Sequence, residues 1–276
     1  MKDDILLGKE TEYKSEYDQS LIYPIERAGN RAKLEGIDDS LNNGLGFYGY
    51  DLWTGYEISW LNQKGKPQVA IAEFIIPCDS SNIVESKSFK LYLNSFNNTR
   101  FDDADEVQAL MQKDLSQGFG ADVDVRFYSV EQYPLAQSLT GECIDDEDIT
   151  VKDYAPTPSL LSFSDESTQE ILISHLLKSN CPVTNQPDWA TVVIDYKGSK
   201  IDRAALLAYI ISYRNHDDFH EHCVEQMFTD LWRLGAFDSL TVTARYTRRG
   251  GLDINPMRSS RSAISVKDMV GRLPRQ

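Results

Sequence analysis

The strongest constraint on the fold is an order of predicted elements that occurs twice along the 276-residue chain. In the first half, alternating and helix-periodic segments predict the order strand, strand, helix, helix, strand, at residues 56–61, 68–76, 86–96, 103–115 and 122–130. In the second half the same order is predicted at residues 171–177, 190–196, 204–213, 220–234 and 240–247. A repeated order of this kind indicates two related modules.

Residue identities support the repeat, because several residues recur at a spacing of 117 positions. The matching pairs are Tyr92 and Tyr209, Ser95 and Ser212, Asn98 and Asn215, and Val107 and Val224. Between the halves lies an acidic run at 145–148, followed by prolines and serines, a composition typical of a linker. We therefore expect an N-terminal module at residues 1–130, an acidic linker at 131–168 and a C-terminal module at 169–276. The fold class would be α+β, each module an antiparallel sheet with two helices on one face.

Composition narrows the class of function. The net charge of −15 disfavours direct binding of nucleic acid. The longest apolar stretch, residues 69–76, is interrupted by Glu73 and is too short to cross a bilayer. The N-terminus is acidic within its first four residues and lacks a long apolar segment, so we expect no signal peptide. Four widely spaced cysteines without a CxxC pair indicate reduced thiols and a cytoplasmic protein.

Cys181 and Asp188 lie close together in a segment that cannot be helical. Pro182 holds Cys181 towards an extended conformation, and Pro187 restricts the backbone just before Asp188. A thiolate is a strong nucleophile, and a carboxyl with a raised pKa can deliver a proton. The segment therefore indicates covalent catalysis with an acid beside the nucleophile. A buried structural thiol with an Asp that caps a turn is the alternative.

Glu85 and Ser86 fall where the first predicted helix begins. A carboxylate is favourable at a helix N-terminus and a hydroxyl can cap it, so a capped helix with exposed lysines is one interpretation. In the other, Glu85 accepts two hydrogen bonds from the amide-amidine edge of a purine-like base, and Lys87 or Lys90 meets a phosphate.

The segment Phe219-His220-Glu221 opens the last predicted helix. A histidine titrates near neutral pH, and the glutamate offers a second bidentate acceptor, so a ligand site competes with a solvated helix cap. A metal site must also be weighed, because four potential ligands crowd this region, namely His216, His220, His222 and Cys223. Zinc sites usually draw ligands from two separated clusters, and the sequence has no second Cys/His pair, so we expect no metal.

Positive charge is concentrated at residues 245–276, which hold eight Lys and Arg against two Asp. Such a segment can bind an anionic ligand or pair with acidic residues of the same chain, and charge alone favours pairing. Within it, Arg249 and Gly250 belong to an Arg-Arg-Gly-Gly sequence. Paired glycines let backbone amides approach an oxyanion, and arginines suit a phosphate, although an exposed turn is the alternative. Because no GxGxxG motif is present, a nucleotide would be bound outside a Rossmann fold.

Together these motifs resemble those of the NADPH-dependent 7-cyano-7-deazaguanine reductase family, in its long, two-module branch. The residues that carry the resemblance are Glu85-Ser86-Lys87-Ser88-Phe89-Lys90-Leu91-Tyr92, Cys181 with Asp188-Trp189, Phe219-His220-Glu221, and Arg249-Gly250-Gly251 with Asp253-Ile254-Asn255-Pro256. They extend over essentially the whole chain. The resemblance implies the tunnelling fold and the reduction of a nitrile to a primary amine during queuosine biosynthesis for tRNA.

The resemblance also implies roles for single residues. Cys181 would add to the nitrile carbon as a covalent thioimide, and Asp188 would donate a proton to the nitrile nitrogen. His220 would relay protons, and Phe219 would shield the intermediate from water. The deazaguanine would be held by Val84, Glu85, Ser86, Phe219, His220 and Glu221. NADPH, used twice per turnover, would be bound by Ser86, Lys87, Arg249 and Gly250.

We expect a homodimer that binds 7-cyano-7-deazaguanine and NADPH, without a metal, nucleic acid or membrane partner. A catalytically silent purine- or pterin-binding module is the alternative from another class. The pairing of Cys181 with Asp188 disfavours it, because a silent binder has no need of a nucleophile and an acid. A cyclohydrolase-like enzyme of the same fold is the nearer alternative, and that chemistry usually requires a metal.

Overall fold

The computed structural model describes residues 14–34, 41, 43–134, 138–266 and 271–276. The N-terminus on which the expectation of no signal peptide depends lies outside these residues. The strands of the described part of the chain are β1 Pro24–Glu26, β2 Tyr48–Leu61, β3 Pro67–Pro77, β4 Asn82–Val84, β5 Asp124–Tyr128, β6 Glu142–Cys143, β7 Phe163–Asn180, β8 Pro187–Ile201, β9 Phe237–Tyr246 and β10 Leu252–Ser259. Its α-helices are α1 Ala28–Arg31, α2 Ser86–Ser95, α3 Ala104–Phe119, α4 Arg203–Ser212 and α5 His220–Leu234.

The strands of both halves form one continuous sheet in the order β5-β3-β2-β10-β9-β8-β7-β6, while β1 and β4 form a separate pair. Strand β10 joins the halves, because it pairs antiparallel with β2 on one side and with β9 on the other. The predicted α+β class is confirmed. The sequence did not predict β10, since all eight of its residues are buried and include Asp253, Pro256 and Arg258, so that no alternation is visible.

Each half of the sheet carries two helices over its own hydrophobic core. Helices α2 and α3 pack on β2, β3 and β5, with the Phe74 and Phe89 rings in edge contact at 5.1 Å between centroids. Helices α4 and α5 pack on β7, β8 and β9, where Val224 and Val242 lie in the second core. The four main helices agree with the predicted segments within a few residues, since apolar periodicity marks their buried faces.

Two strands are longer than the sequence predicts. Strand β2 begins at Tyr48, although the sequence predicts a start at residue 56. Strand β7 begins at Phe163, which lies inside the segment predicted as a linker. The first part of β7 is mostly exposed and polar, so it lacks the alternation that identifies a half-buried strand. The division of the chain at 131 and 168 stays a prediction. None of the helices in the described residues is long and apolar enough to cross a membrane.

A buried ion cluster fixes α5 against the strands that join the two halves. Arg258 of β10 donates to Asp51 of β2 at 2.7 Å and to Glu225 of α5 at 2.8 Å. Arg31 of α1 donates to the same Glu225 at 2.7 Å, and Arg27 donates to Asp51. Part of the C-terminal positive charge is therefore paired inside the protein. The N-terminal end of α5 is held rigidly beside β2, where the candidate site lies.

Candidate active site

A cleft that is partly open to solvent lies between the two halves of the chain. It brings together residues from the β7–β8 hairpin, the start of α5, the start of α2 and the segment after β9. The predicted site residues that line it are Val84, Ser86, Cys181, Asp188, Phe219, His220, Glu221 and Arg249. The other three predicted residues, Glu85, Lys87 and Gly250, are outside its lining.

The β7–β8 hairpin places Cys181 and Asp188 on one wall of the cleft. Cys181 is the first residue after β7, and its amide donates to the Gln186 carbonyl at 2.9 Å. The Asn185 amide donates back to the Cys181 carbonyl at 2.9 Å, with Asn185 at a φ of 55°. This closed turn returns the chain to β8, whose second residue is Asp188. The thiol is partly exposed, whereas Asp188 is only 3% exposed.

His220 lies directly against Asp188. Its Nε2 atom is 3.3 Å from Asp188 Oδ2, and its ring stacks on Tyr246 with 3.8 Å between centroids and an interplanar angle of 11°. The Asn180 amide donates to the His216 carbonyl at 2.8 Å, which ties the hairpin to the loop before α5. The imidazole is therefore held in one orientation, with one ring nitrogen directed at the carboxylate.

Arg249 is the second partner of Asp188. Its guanidinium donates to Asp188 Oδ1 and to Gln186 Oε1. Burial acts to raise the pKa of Asp188, but the hydrogen bonds and charges of His220 and Arg249 outweigh it and lower that pKa. The sequence predicts an acid with a raised pKa at Asp188, whereas this arrangement favours the ionised carboxylate. The difference arises because the sequence does not show that Arg249 reaches Asp188.

Glu221 lies at the floor of the cleft and is only 2% exposed. The indole Nε1 of Trp53 donates to its Oε1 at 3.2 Å. Burial raises the pKa of Glu221, the nearby charge of Asp51 raises it further, and His220 opposes the shift. Trp53 was missed by sequence reasoning, because it lies on β2 of the other half and no motif surrounds it.

Glu85 caps helix α2. Its Oε1 accepts from the Lys87 amide and its Oε2 from the Ser88 amide, both at 2.8 Å, and the residue is fully buried. Burial raises the pKa of Glu85, and the two capping bonds oppose the shift. The structure thus shows the capping interpretation. The neighbouring Ser86, the first residue of the helix, faces the cleft.

Two cations stand on the same side of the cleft. Lys90 is half-buried, and its side-chain ammonium forms no hydrogen bond with the residues that the structure describes. Burial together with the charge of Arg249 lowers its pKa. Gly250 has a φ of 60°, and a Cβ placed there would lie 3.4 Å from the Lys90 side chain. Lys90 and Arg249 therefore form a positive edge that fits the phosphates of a dinucleotide. The sequence predicts that Lys87 or Lys90 meets a phosphate, and of the two only Lys90 lines the cleft.

Asp218 is another lining residue that was missed, although it directly precedes Phe219. Burial acts to raise the pKa of Asp218, but hydrogen bonds with His216 and His222 hold it well below its usual range. His222 also meets Asn30 at 2.7 Å. These histidines thus have partners different from that of His220.

The chain is similar over nearly its whole length to known proteins of one family. A family model described as "Nitrile reductase, 7-cyano-7-deazaguanine-reductase N-term" matches residues 13–127, and one described as "QueF-like protein" matches residues 187–264. A protein of Coxiella burnetii is 55% identical over 95% of this chain and 94% of its own length. Proteins of Chromohalobacter salexigens and Bordetella avium are each 52% identical, over 92% and 97% of this chain and 91% and 97% of their own lengths. All three are named NADPH-dependent 7-cyano-7-deazaguanine reductase.

Proposed function

Because the chain belongs to the NADPH-dependent 7-cyano-7-deazaguanine reductase family, we propose that it reduces the nitrile of 7-cyano-7-deazaguanine to the aminomethyl group with NADPH. The protein would supply this amine to queuosine biosynthesis for tRNA. The observation that carries the proposal is the convergence of Cys181, Asp188 and His220 on one cleft that also has a cationic edge. A silent binding module would have no use for this combination of nucleophile and proton donor.

The first step forms a covalent thioimide. The Cys181 sulfur, as thiolate, adds to the nitrile carbon, one π bond of the nitrile breaks, and the nitrogen gains a proton. We assign that proton to the His220–Asp188 pair, whose 3.3 Å contact lets the two groups share one proton. Asp188 delivers it to the substrate, and His220 replaces it. This assignment accommodates an ionised Asp188 in the absence of substrate.

The remaining steps complete a four-electron reduction. When bound, NADPH would supply the hydrides, one molecule for the thioimide carbon and a second for the imine carbon. After the first hydride, the carbon–sulfur bond breaks, Cys181 leaves as thiolate and the imine remains. Phe219 at the rim of the cleft keeps water from the imine, which would otherwise hydrolyse. The balance is two NADPH and two protons consumed per nitrile converted to a neutral amine.

Recognition of the deazaguanine rests on the floor of the cleft. We assign to Glu221 the amide-amidine edge of the base, because its buried carboxylate is already oriented by Trp53. Val84 and Ser86 line the same cleft and would complete the pocket for the base. The predicted contact of Glu85 with the base stays a prediction. Both of its carboxylate oxygens already accept hydrogen bonds from backbone amides of α2, so we do not assign the base to Glu85.

For NADPH we assign Arg249 and Lys90 to the phosphates. Further contacts would come from Ser86 and Lys87 at the start of α2, and from Gly250 directly after Arg249. The arginine suits the 2′-phosphate, which distinguishes NADPH from NADH. Binding of that phosphate would draw Arg249 away from Asp188. Because the guanidinium lowers the pKa of Asp188, its departure would make the carboxyl a better carrier of a proton.

We also propose a homodimer in the cytoplasm whose active site holds no metal. All four cysteines are free, as expected in a reducing compartment. Among the described strands, β5 and β6 end the sheet, and the two-residue β6 covers only a small part of β7. Such open edges can pair with a second copy of the chain. Light scattering of the purified protein should give twice the mass of the chain, and a monomer would contradict the dimer.

The test of the function is direct. The protein is supplied with 7-cyano-7-deazaguanine and NADPH, the loss of nicotinamide absorbance is followed, and the product is identified by mass. We expect the aminomethyl product with two NADPH oxidised per amine, unchanged by a metal chelator, and no turnover by Cys181→Ala. Absence of nitrile-dependent NADPH oxidation would overturn the proposed function. Loss of nitrile reduction with chelator would contradict the metal-free active site.

A further inference from the structure

A second cluster of reactive side chains lies outside the lining of the cleft, where the acidic run meets strand β7. Cys143 ends β6, which pairs parallel with β7 at Ile173, and His175 lies two positions further on β7. One ligand atom each from Cys143, Asp145 and His175 lies within 4.8 Å of the other two. Cys143 and His175 are exposed and Asp145 is half-buried, so an ion from solvent can reach all three.

The carboxylate and the imidazole of this cluster are already oriented. Asp145 accepts from the buried Ser174 hydroxyl at 2.6 Å and from the His175 amide at 3.0 Å. The Nδ1 atom of His175 lies 2.9 Å from the Thr191 hydroxyl. With Nδ1 protonated and donating to this hydroxyl, Nε2 is left as the metal ligand, and metal-bound histidines commonly hold their other ring nitrogen in an outer hydrogen bond.

We propose that Cys143, Asp145 and His175 bind a zinc ion, with water in the fourth position. Sulfur, nitrogen and carboxylate oxygen are the ligands that zinc takes in proteins, at about 2.0–2.3 Å. Atoms within 4.8 Å of one another can converge on one ion through small side-chain rotations. One thiolate and one carboxylate balance the two positive charges, and the Cys143 proton is released to solvent.

The charges around the cluster favour a cation. Asp145 begins the run Asp145-Asp146-Glu147-Asp148 in a chain of net charge −15. The nearby cation, Arg275, donates to the His175 carbonyl at 2.9 Å and to the Thr191 hydroxyl at 3.1 Å, on the side of the ring that carries Nδ1. The zinc would therefore anchor the acidic segment to β7, a role that the linker composition alone does not suggest.

The experiment titrates the full-length, reduced protein with cobalt(II) as a spectroscopic substitute, and with zinc in competition. We expect one equivalent to bind with thiolate-to-cobalt absorption, and zinc to displace it. Cys143→Ser should remove the absorption, and Cys143→Ser and His175→Gln should each weaken zinc binding at least tenfold. Because Cys143 and His175 are exposed, both variants should keep the thermal unfolding temperature of the metal-free parent.

Cys181→Ala is the matched control, since it removes the partly exposed thiol of the cleft and should leave cobalt binding intact. Zinc should also slow alkylation of Cys143 and leave that of Cys181 unchanged. Cobalt absorption that persists in Cys143→Ser, or that disappears in Cys181→Ala, would overturn the site, as would failure to bind either ion. None of these results depends on nitrile reduction, so the proposed function is tested separately.

Discussion

The indole Nε1 of Trp53 donates a 3.2 Å hydrogen bond to Oε1 of Glu221, and this bond joins the two halves of the chain inside the cleft. Trp53 comes from β2 and Glu221 from the first turn of α5. Both are almost completely buried. The carboxylate that we assign to the base is therefore oriented by a residue from the other half, so the site requires the halves to be joined.

Replacement of Trp53 by Phe should weaken binding of the nitrile about tenfold, or about 1.4 kcal/mol, because Glu221 loses the donor that orients it. The measurement is calorimetric titration in a Cys181→Ala background, which blocks covalent capture. Trp60→Phe is the matched control, since Trp60 is buried in the same core and does not line the cleft. Equal affinities of the two variants would contradict the role of Trp53.

Replacement of Asp188 by Asn should separate binding from chemistry. The amide keeps the shape of the carboxyl but is a far weaker acid, so the nitrile should still bind in the Cys181→Ala background. With Cys181 intact, adduct formation should slow by about 10² or more, the usual contribution of a positioned acid. If the variant instead lost binding and formed adduct at the normal rate, Asp188 would belong with the recognition residues.

Replacement of Arg249 by Gln should move the pH dependence of adduct formation. Arg249 lowers the pKa of Asp188, so its removal should raise that pKa. The step needs a proton on the His220–Asp188 pair and slows as pH rises through the apparent pKa of the pair. The decline should therefore begin at a higher pH in Arg249→Gln than in the parent.

The same variant should have a raised KM for NADPH. Arg248→Gln is the control, because the Arg248 guanidinium lies over the Tyr56 ring at 4.6 Å from its centroid. An unchanged pH profile in Arg249→Gln would show that the ion pair with Asp188 does not control the proton.

The buried ion cluster makes stability depend on acid pH. Burial opposes ionisation of Glu225, but Arg258, Arg31 and Arg27 together lower its pKa to about 2. An unfolded glutamate has a pKa of about 4.3, so its proton-linked stabilisation is complete above that pH and is lost as pH falls towards 2. The loss is about 3 kcal/mol of unfolding free energy.

Glu225→Gln should flatten the pH dependence of denaturant-induced unfolding across this window. It should also be less stable near neutral pH, because its arginine partners lose a charge. The exposed Glu57→Gln is the control and should keep the slope of the parent. A slope in Glu225→Gln as steep as that of the parent would contradict the pKa of Glu225.

The sequence predicted the four longer helices and most strands, because their buried faces repeat with a clear period. It could not predict β10, in which Asp253, Asn255 and Arg258 are buried alongside apolar residues. Such a strand is stabilised by partners distant in the sequence. Arg258 is buried because Asp51 and Glu225 surround it, and no local pattern carries that information.

For the site, motifs identified the residues, but their contacts were decided by the fold. The turn between Pro182 and Pro187 predicted that Cys181 and Asp188 share a wall, and the structure brings them there. The contacts of Arg249 with Asp188 and of Trp53 with Glu221 join segments far apart in the chain. The first contact sets the protonation of Asp188, and the second orients Glu221, which we assign to the nucleobase of the substrate. Neither could be predicted from the sequence alone.

The most direct test of covalent nitrile reduction by Cys181 is intact-protein mass spectrometry after mixing with 7-cyano-7-deazaguanine alone. We predict a mass increase of one nitrile molecule, mapped to the peptide that contains Cys181 and reversed when NADPH is added. The adduct should persist when Cys78, Cys143 or Cys223 is replaced singly by Ser, and should be absent in Cys181→Ala. An adduct that forms in Cys181→Ala, or turnover to the amine by that variant, would contradict the account.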